Sequence, residues 1–200
     1  MSGSGNSGDS AGLNQGSEAS GDAPDSPCEE MTQQNEALRG QLAGDQENAS
    51  IRGAFGPNGA STVAHASLNG GSAIGAASRL LPGRYAGLAQ GLWENTTPEQ
   101  RREMRQSGRS NVCPDAPFQY DVAAFRPHQS HCESKILETL FAGTPAGTLV
   151  LNINWQYENC PNDPNPCAAC KRLLCHAQEH CGIDIMLCQE EPEPEPLECP

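Results

Sequence analysis

Hydrophobic positions are most regular in the second half of the chain. Residues 148–155 open with an unbroken apolar run, which predicts a buried central strand, and residues 183–188 predict a second strand. Between them, a helical pattern begins at Cys167, includes Leu173 and Leu174, and ends at Gly182. This order of strand, helix and strand predicts two parallel strands joined by a right-handed crossover.

Two more helices and two short strands are predicted upstream of this unit. Thr97 and Pro98 have the features of a helix cap and first turn, so a helix is expected from there to about residue 107. Apolar residues recur at helical spacing after His131 and predict a helix that ends before Gly143. Alternating side chains predict short strands over residues 109–113 and 118–125.

The two ends of the chain and the segment 53–94 have weaker patterns. Residues 1–52 are low in complexity, so we expect them to be mostly disordered, with one marginal helix from Pro27 to about Ala43. Residues 53–94 are rich in glycine and alanine and are interpreted as a linker or packing segment. The folded domain is therefore expected over residues 95–189. An acidic Glu/Pro tail at 190–200, which is not expected to join a sheet, follows it.

The net charge of −13 originates mostly at the two ends of the chain, because the middle has nearly as many basic as acidic residues. This balance argues against a protein that holds duplex DNA mainly by neutralising phosphates, but not against an enzyme that contacts a few nucleotides. The sequence has no run of eighteen apolar residues, so no membrane span is predicted. The first residues also lack the basic and apolar regions of a classical signal peptide.

The chain has ten cysteines, and most of them lie close to its C-terminal end. Cys167 and Cys170 form a C-x-x-C pair, which is more often a metal clamp than a disulfide in a cytosolic chain. Cys28 and Cys199 lie in segments expected to be disordered and are interpreted as bystanders. For the other extra cysteines, a second zinc site and disulfides formed after export both stay open.

Four residues form a candidate site for metal chemistry: His131, Glu133, Cys167 and Cys170. One imidazole and two thiols are the ligands of a catalytic zinc ion with an open fourth position, and Glu133 is a carboxylate left free for proton transfer. The two pairs begin two different helices, so they can meet only if both helix N-termini face one cleft. Such a cleft is expected at the carboxyl edge of the parallel strands, where the helix dipole lowers the pKa of thiols.

The sequence His131-Cys132-Glu133, followed by Pro166-Cys167-Ala168-Ala169-Cys170, resembles the H-x-E and P-C-x-x-C motifs of the cytidine deaminase superfamily. The resemblance implies an α/β, three-layer cytidine-deaminase-like fold, with a mixed sheet and helices on both faces. It also implies Zn²⁺ held by His131, Cys167 and Cys170, with Glu133 as the catalytic acid and base. The expected function is hydrolytic deamination of cytosine to uracil in nucleic acid, with DNA as the first expectation.

Within that superfamily, the low-complexity N-terminus followed by a compact domain resembles the deaminase toxins that bacteria deliver to one another. This resemblance implies a secreted or delivered effector that acts in the cytoplasm of the recipient cell. It also implies a cognate immunity protein as a partner. Neither expectation follows from composition or spacing.

Five residues that flank the motifs are candidates for substrate contacts. Tyr120, His128 and Trp155 could stack on a base, although aromatic side chains are more often part of the core. Asn152 and Asn154 follow the apolar start of the central strand and could present amides to the edge of a base in the cleft.

Two alternative functions stay open. The first keeps the enzyme and changes its substrate to free nucleosides, nucleotides or adenine in RNA. The second is a non-catalytic zinc-binding module, in which Cys160 and Cys175 would complete a structural site with Cys167 and Cys170.

Overall fold

The computed structural model describes residues 26–92, 94, 96–121, 129–157, 160–189 and 192–200, with the backbone alone between 156 and 163. The helices are α1 (Pro27–Ala43), α2 (Ala49–Phe55), α3 (Pro98–Ser107), α4 (Cys132–Leu140) and α5 (Ala168–Cys181), with a short 3₁₀ turn at Gly83–Tyr85. The strands are β1 (Thr62–Leu68), β2 (Ile74–Ala77), β3 (Gly147–Tyr157), β4 (Cys160–Asp163), β5 (Ile183–Cys188) and β6 (Glu195–Pro196).

The strands form one mixed sheet in the order β2-β1-β3-β5-β6, and β4 pairs with the far end of β3. The predicted unit is present, because β3 and β5 are parallel and α5 connects them. The pairs β1–β2, β1–β3, β3–β4 and β5–β6 are antiparallel. The predicted α/β class and mixed sheet are confirmed.

Helices cover both faces of the sheet. On one face, Ile136 and Leu137 of α4 and Leu173 of α5 pack in one core with Leu151 and Ile153 of β3. On the other face, α1 contacts β1 and β3, and Val150 of β3 packs against the start of α1. Alternate residues of a strand point to opposite faces of the sheet. Leu151 and Ile153 therefore face α4 and α5, while Val150 faces α1, and the result is three layers.

The predicted helix from Pro27 to about Ala43 is present as α1, but the expectation that it is marginal, in a mostly disordered segment, is wrong. This helix spans 17 residues, and the Ser26 hydroxyl caps it by accepting a hydrogen bond from the Glu29 N–H at 3.1 Å. Its buried face includes Asn35 and Arg39, two polar residues that the sequence pattern assigns to solvent. The helix is ordered by hydrogen bonds to the sheet, which its own composition does not predict.

The interpretation of residues 53–94 as a linker is also wrong, since β1 and β2 lie within this segment. The face of β1 and β2 that packs under α4 consists of small residues, among them Ala64, Ala66 and Ala76, each 0% exposed. Alanine is depleted in strands, so these two strands lack the β-branched pattern by which strands are predicted. The fold therefore begins at α1, well before residue 95.

Two further predictions need correction. The expected strands at 109–113 and 118–125 are replaced by a single bridge between Arg109 and Gln119, and residues 122–128 lie outside the described residues. The acidic tail joins the sheet through β6, and Leu197 is 5% exposed, with its N–H bonded to the Ile185 carbonyl at 2.8 Å. Pro196 is tolerated because β6 is an edge strand.

Three disulfides connect parts of the chain that are far apart in sequence: Cys28–Cys188, Cys113–Cys181 and Cys175–Cys199. Cys28 and Cys199 are therefore not bystanders, since they fasten α1 to β5 and the C-terminal tail to α5. For the other four, Cys113, Cys175, Cys181 and Cys188, the structure has disulfides and not a second zinc site. Within the part of the chain that the structure describes, no helix combines the length and the apolar character that a membrane crossing requires.

Candidate metal centre

Three side chains meet between the first residues of α4 and α5. The Nδ1 atom of His131 lies 3.2 Å from Sγ of Cys170 and 3.5 Å from Sγ of Cys167. The ligand atoms of the three residues all lie within 4.8 Å of one another. The predicted ligand set is therefore brought together in space, and one imidazole with two sulfurs suits a zinc ion.

The two helices place these ligands through their N-terminal caps. His131 is the N-cap residue of α4 and Cys167 is the N-cap residue of α5, both with extended backbone conformations. Cys170 lies one turn into α5, where its N–H is 3.5 Å from the Cys167 sulfur. Because α5 follows the far end of β3, the centre lies at the carboxyl edge of the parallel pair, as predicted.

The local electrostatics make the two thiols unequal. Hydrogen bonding from the Cys170 thiol, followed by that from His131, lowers the pKa of Cys167 to about 3. The same hydrogen bond, together with burial, raises the pKa of Cys170. The prediction that the helix terminus lowers both thiol pKa values is thus wrong for Cys170. The hydrogen bond to Cys167 raises the pKa of His131.

Glu133 lies in the first turn of α4, one residue after Cys132, and is 4% exposed. It lines the same cavity as His131 and Cys167, and its carboxyl group hydrogen-bonds with the Cys170 thiol. Burial raises the pKa of this carboxyl group. A carboxyl group beside a metal centre that is not itself a ligand can accept and donate protons during a reaction.

The cavity has a volume of about 330 Å³ and opens over the metal centre. Its wall combines the start of β1 and the residues before it, the two residues that follow β2, the second half of β3 and the segment before α5. Besides the residues already named, the lining includes Ala60, Ser61, Thr62, Ser78, Arg79, Ser130, Ile153, Trp155 and Asn165. A cavity of this size, with a mostly polar lining and one aromatic side chain, fits a small planar molecule that carries polar groups.

A buried ion pair supports the rim of the cavity at Arg79. Lys135, which is 2% exposed, lies 2.6 Å from the Glu94 carboxylate and donates a hydrogen bond of 2.6 Å to the Arg79 carbonyl. The Arg79 side chain in turn donates to the Ser61 hydroxyl at 2.7 Å. The sequence carries no clear signal for the role of Lys135, because residues two apart on a helix, such as Glu133 and Lys135, point to opposite sides.

Asn152 and Asn154 do not face the cavity, so their proposed role in substrate contact is wrong. The side-chain oxygen of Asn152 accepts a hydrogen bond from the Asn35 side-chain amide at 2.7 Å. The side-chain oxygen of Asn154 accepts a hydrogen bond from Arg39 Nε at 2.9 Å. Both partners belong to α1, on the face of the sheet opposite α4. Ile153 and Trp155, which alternate with the two asparagines, line the cavity instead.

The other two aromatic candidates are not placed in the cavity wall. Tyr120 is buried and donates a hydrogen bond to Glu138 at 3.1 Å, so it is part of the core, which corrects the prediction of substrate contact. His128 lies outside the described residues. Of the four predicted substrate contacts that the structure describes, Trp155 is the one at the cavity.

The alternative ligand set of a structural zinc module loses one member. Cys175 forms a disulfide with Cys199, so its sulfur is not free to bind a metal. His176 is engaged by the Ala116 carbonyl, 2.6 Å from its Nε2 atom. Among the side chains that the structure describes, the metal-binding group therefore has three members and leaves the fourth position of a tetrahedral ion without a protein ligand.

Comparison of the chain with known protein families, with curated proteins and with solved structures gives no match. The resemblance of its two motifs to those of the cytidine deaminase superfamily therefore stays a prediction. What is established is a group that could hold a metal ion, in an α/β fold with a mixed sheet.

Proposed function

We propose that this protein is a zinc-dependent hydrolytic deaminase that converts cytosine to uracil in nucleic acid, with DNA as the first candidate. One observation carries the proposal: the buried carboxyl group of Glu133 lines the same cavity as His131 and Cys167 and does not belong to the metal-binding group. A structural zinc site needs no such carboxyl group, whereas hydrolysis at a ring carbon requires an acid and base at that position.

The residues present fit a zinc ion by their chemistry. His131, Cys167 and Cys170 would hold it, and the ready ionisation of Cys167 supplies negative charge to the centre. When bound by three protein ligands, zinc lowers the pKa of water to about 7, which makes a hydroxide nucleophile available at neutral pH.

Glu133 performs the proton transfers in this proposal. Its carboxylate accepts one proton from the attacking water and donates it to the ring nitrogen. It then accepts a second proton, from the hydroxyl group now bonded to the ring carbon, and donates it to the amino group, which leaves as ammonia. Burial raises the pKa of Glu133, which makes its carboxylate a stronger base for accepting the proton of the attacking water. Its place in the first turn of α4, with little exposure, holds it beside the cavity.

The cavity wall supports a planar base as the substrate. Trp155 offers an aromatic surface for stacking, while Asn165 and the hydroxyl groups of Ser61 and Ser78 offer hydrogen bonds to the edge of the base. Arg79 lies at the rim and can contact a phosphate of the bound nucleotide.

A small substrate, such as free cytidine, is the second candidate. The net charge of −13 favours it over a polyanion, because a negatively charged protein repels nucleic acid at long range. Glu195 and Glu198 lie beside Asn165 in the neighbouring groove and add to this repulsion.

Delivery to a competing bacterium, with a cognate immunity protein that blocks the cavity, is the cellular part of the proposal. Three disulfides support passage through an oxidising compartment, since such bonds are rare in cytosolic proteins. The remainder of this part rests on the resemblance to interbacterial toxins.

The test is to incubate the zinc-loaded full chain with single-stranded DNA, double-stranded DNA, RNA and cytidine, and to measure uracil or uridine formation. We expect cytosine deamination, with a loss of about 10²-fold or more in Glu133→Gln at unchanged zinc content. Glu103→Gln is the matched control, because Glu103 is exposed on α3 and should leave the rate unchanged. Equal rates for wild type and Glu133→Gln, or no product from any of the four substrates, would contradict the proposal.

A further inference from the structure

Cys167 and Cys170 are free thiols in a structure that has three disulfides. Of the cysteines whose side chains the structure describes, six form three disulfides and three are free. The third free cysteine, Cys132, is 0% exposed and donates to the Thr62 carbonyl at 3.2 Å in the core. Cys167 and Cys170 are therefore the free thiols that lie next to a cavity.

The geometry of this pair suits a further disulfide. The two sulfurs lie within 4.8 Å of each other, one at the N-cap of α5 and the other one turn later. Residues three apart on a helix lie on the same side, so little backbone movement is needed to close the bond. Cys167 is half-buried and lines the cavity, whereas Cys170 is 1% exposed behind it.

We propose that, when no metal ion is bound, Cys167 and Cys170 are oxidised to a fourth disulfide by a small-molecule disulfide such as oxidised glutathione, and that this bond and a bound metal ion exclude each other. The inference concerns the metal centre alone and does not depend on which reaction the centre catalyses.

The oxidation proceeds in two exchange steps. The Cys167 sulfur attacks one sulfur of oxidised glutathione, which forms a mixed disulfide and releases one glutathione, protonated by the hydrogen from Cys167. The Cys170 sulfur then attacks the Cys167 sulfur, which forms the intramolecular bond and releases the second glutathione with the hydrogen from Cys170. Two protein thiols are oxidised, and one glutathione disulfide is reduced to two thiols.

The disulfide and the metal ion compete because they use the same two sulfurs. Once these sulfurs are bonded to each other, His131 is the one remaining member of the metal-binding group. A bound ion, in turn, occupies both thiolates and keeps them from attacking an oxidant. Metal loading before exposure to an oxidising compartment therefore preserves the centre, and metal loss there inactivates it.

The experiment uses the full chain with its three disulfides intact and the metal removed by a chelator. After incubation with oxidised glutathione, peptide mapping by mass spectrometry should find a Cys167–Cys170 bond, and zinc affinity should fall by about tenfold or more. Zinc added before the oxidant should slow formation of the bond by about tenfold or more. A metal-free protein without this bond, or equal rates with and without zinc, would overturn the inference.

Two variants separate the roles of the cysteines. Cys170→Ser should retain glutathione on Cys167, because the residue that resolves the mixed disulfide is absent. Cys167→Ser should stay unmodified, because Cys170 is shielded, and Cys132→Ala should behave as wild type. Glutathione found on Cys170 rather than Cys167 would contradict the proposed order of attack. None of these readouts uses a substrate, so failure of the deaminase assay leaves this result intact.

Discussion

The Nδ1 atom of His131 lies 3.2 Å from the Cys170 sulfur, although 39 positions separate the two residues in the chain. This contact arises because α4 and α5 pack on the same face of the sheet and begin near the same edge. Each helix contributes its N-cap residue to the metal-binding group, His131 in α4 and Cys167 in α5. The centre therefore depends on the packing of both helices against the sheet.

Removing a member of the metal-binding group should abolish tight zinc binding. We expect His131→Ala and Cys170→Ala to weaken zinc binding by about 10²-fold or more, because each leaves two protein ligands. His176→Ala is the matched control, since His176 bonds to the Ala116 carbonyl and does not belong to the group. Competition with a zinc chelator measures the affinity. Loss of zinc in His176→Ala and not in His131→Ala would refute the assignment.

Substitutions on the two faces of β3 should have different effects, one on substrate binding and the other on stability. Trp155→Ala should raise KM for the base by about tenfold, because it removes the aromatic wall of the cavity. Asn154→Ala should leave KM unchanged and lower the free energy of unfolding by about 1–3 kcal/mol, since it leaves the Nε atom of the buried Arg39 without its acceptor. Steady-state kinetics and denaturant unfolding check both expectations. A raised KM in Asn154→Ala at full stability would contradict the placement.

Glu138 should make stability depend on pH. Burial raises its pKa to about 7, although Leu92 N–H, Tyr120 and Gln129 donate hydrogen bonds to its carboxyl group. The folded state thus binds a proton more tightly than the unfolded state. This contribution to stability is fully present below the unfolded pKa of 4.5 and is lost as the pH rises through about 7.

The measurement is the free energy of unfolding of wild type and Glu138→Gln between pH 4.5 and 8. The stability of wild type relative to the variant should fall by on the order of 3 kcal/mol over this range. Glu103→Gln, which changes an exposed residue, should follow the wild-type curve in parallel. A constant difference between wild type and Glu138→Gln would show that the carboxyl group does not titrate there.

The disulfide between Cys28 and Cys188 should hold α1 on the sheet. Replacing both cysteines by serine should lower the free energy of unfolding by about 2–5 kcal/mol, because the bond closes a long loop of the chain. Hydrogen exchange in α1 should accelerate more than in α5. If α5 loses as much protection as α1, the bond stabilises the whole fold and not this helix in particular.

A fragment that begins at residue 95 should fail to fold. It lacks β1 and β2, and β1 pairs along seven residues of β3, so the central strand would lose its neighbour on one side. The fragment should show a broad, non-cooperative thermal transition, whereas the chain from residue 26 should unfold cooperatively. Circular dichroism of both proteins decides this point, and a cooperative transition of the shorter fragment would contradict it.

The metal-binding group and the unit β3-α5-β5 could be predicted from the sequence because their signals are local. The apolar run of β3, the C-x-x-C pair and Gly182 at the end of α5 each determine a nearby structure. The sequence also indicates which side chains of β3 share a face. Asn152 and Asn154 alternate with Ile153 and Trp155, so the four side chains cannot all face one cavity. The wrong prediction for the two asparagines came from ignoring this alternation.

Other features depend on partners far away in the chain. α1 is held through Asn35 and Arg39, whose acceptors on β3 lie more than a hundred positions later. β1 is a central strand built around alanines, and its stability comes from neighbours on both sides and not from its own propensity. The pairing of the cysteines cannot be read from their spacing, because ten cysteines allow many connectivities.

X-ray absorption at the zinc edge of the loaded full chain tests the central claim most directly. The account predicts two sulfur ligands at about 2.3 Å, one imidazole and one light-atom ligand from solvent. It also predicts that Glu133→Gln leaves this spectrum unchanged, because Glu133 serves the substrate and not the metal. A third sulfur ligand, or a spectrum that changes in Glu133→Gln, would contradict a three-ligand centre served by a separate acid.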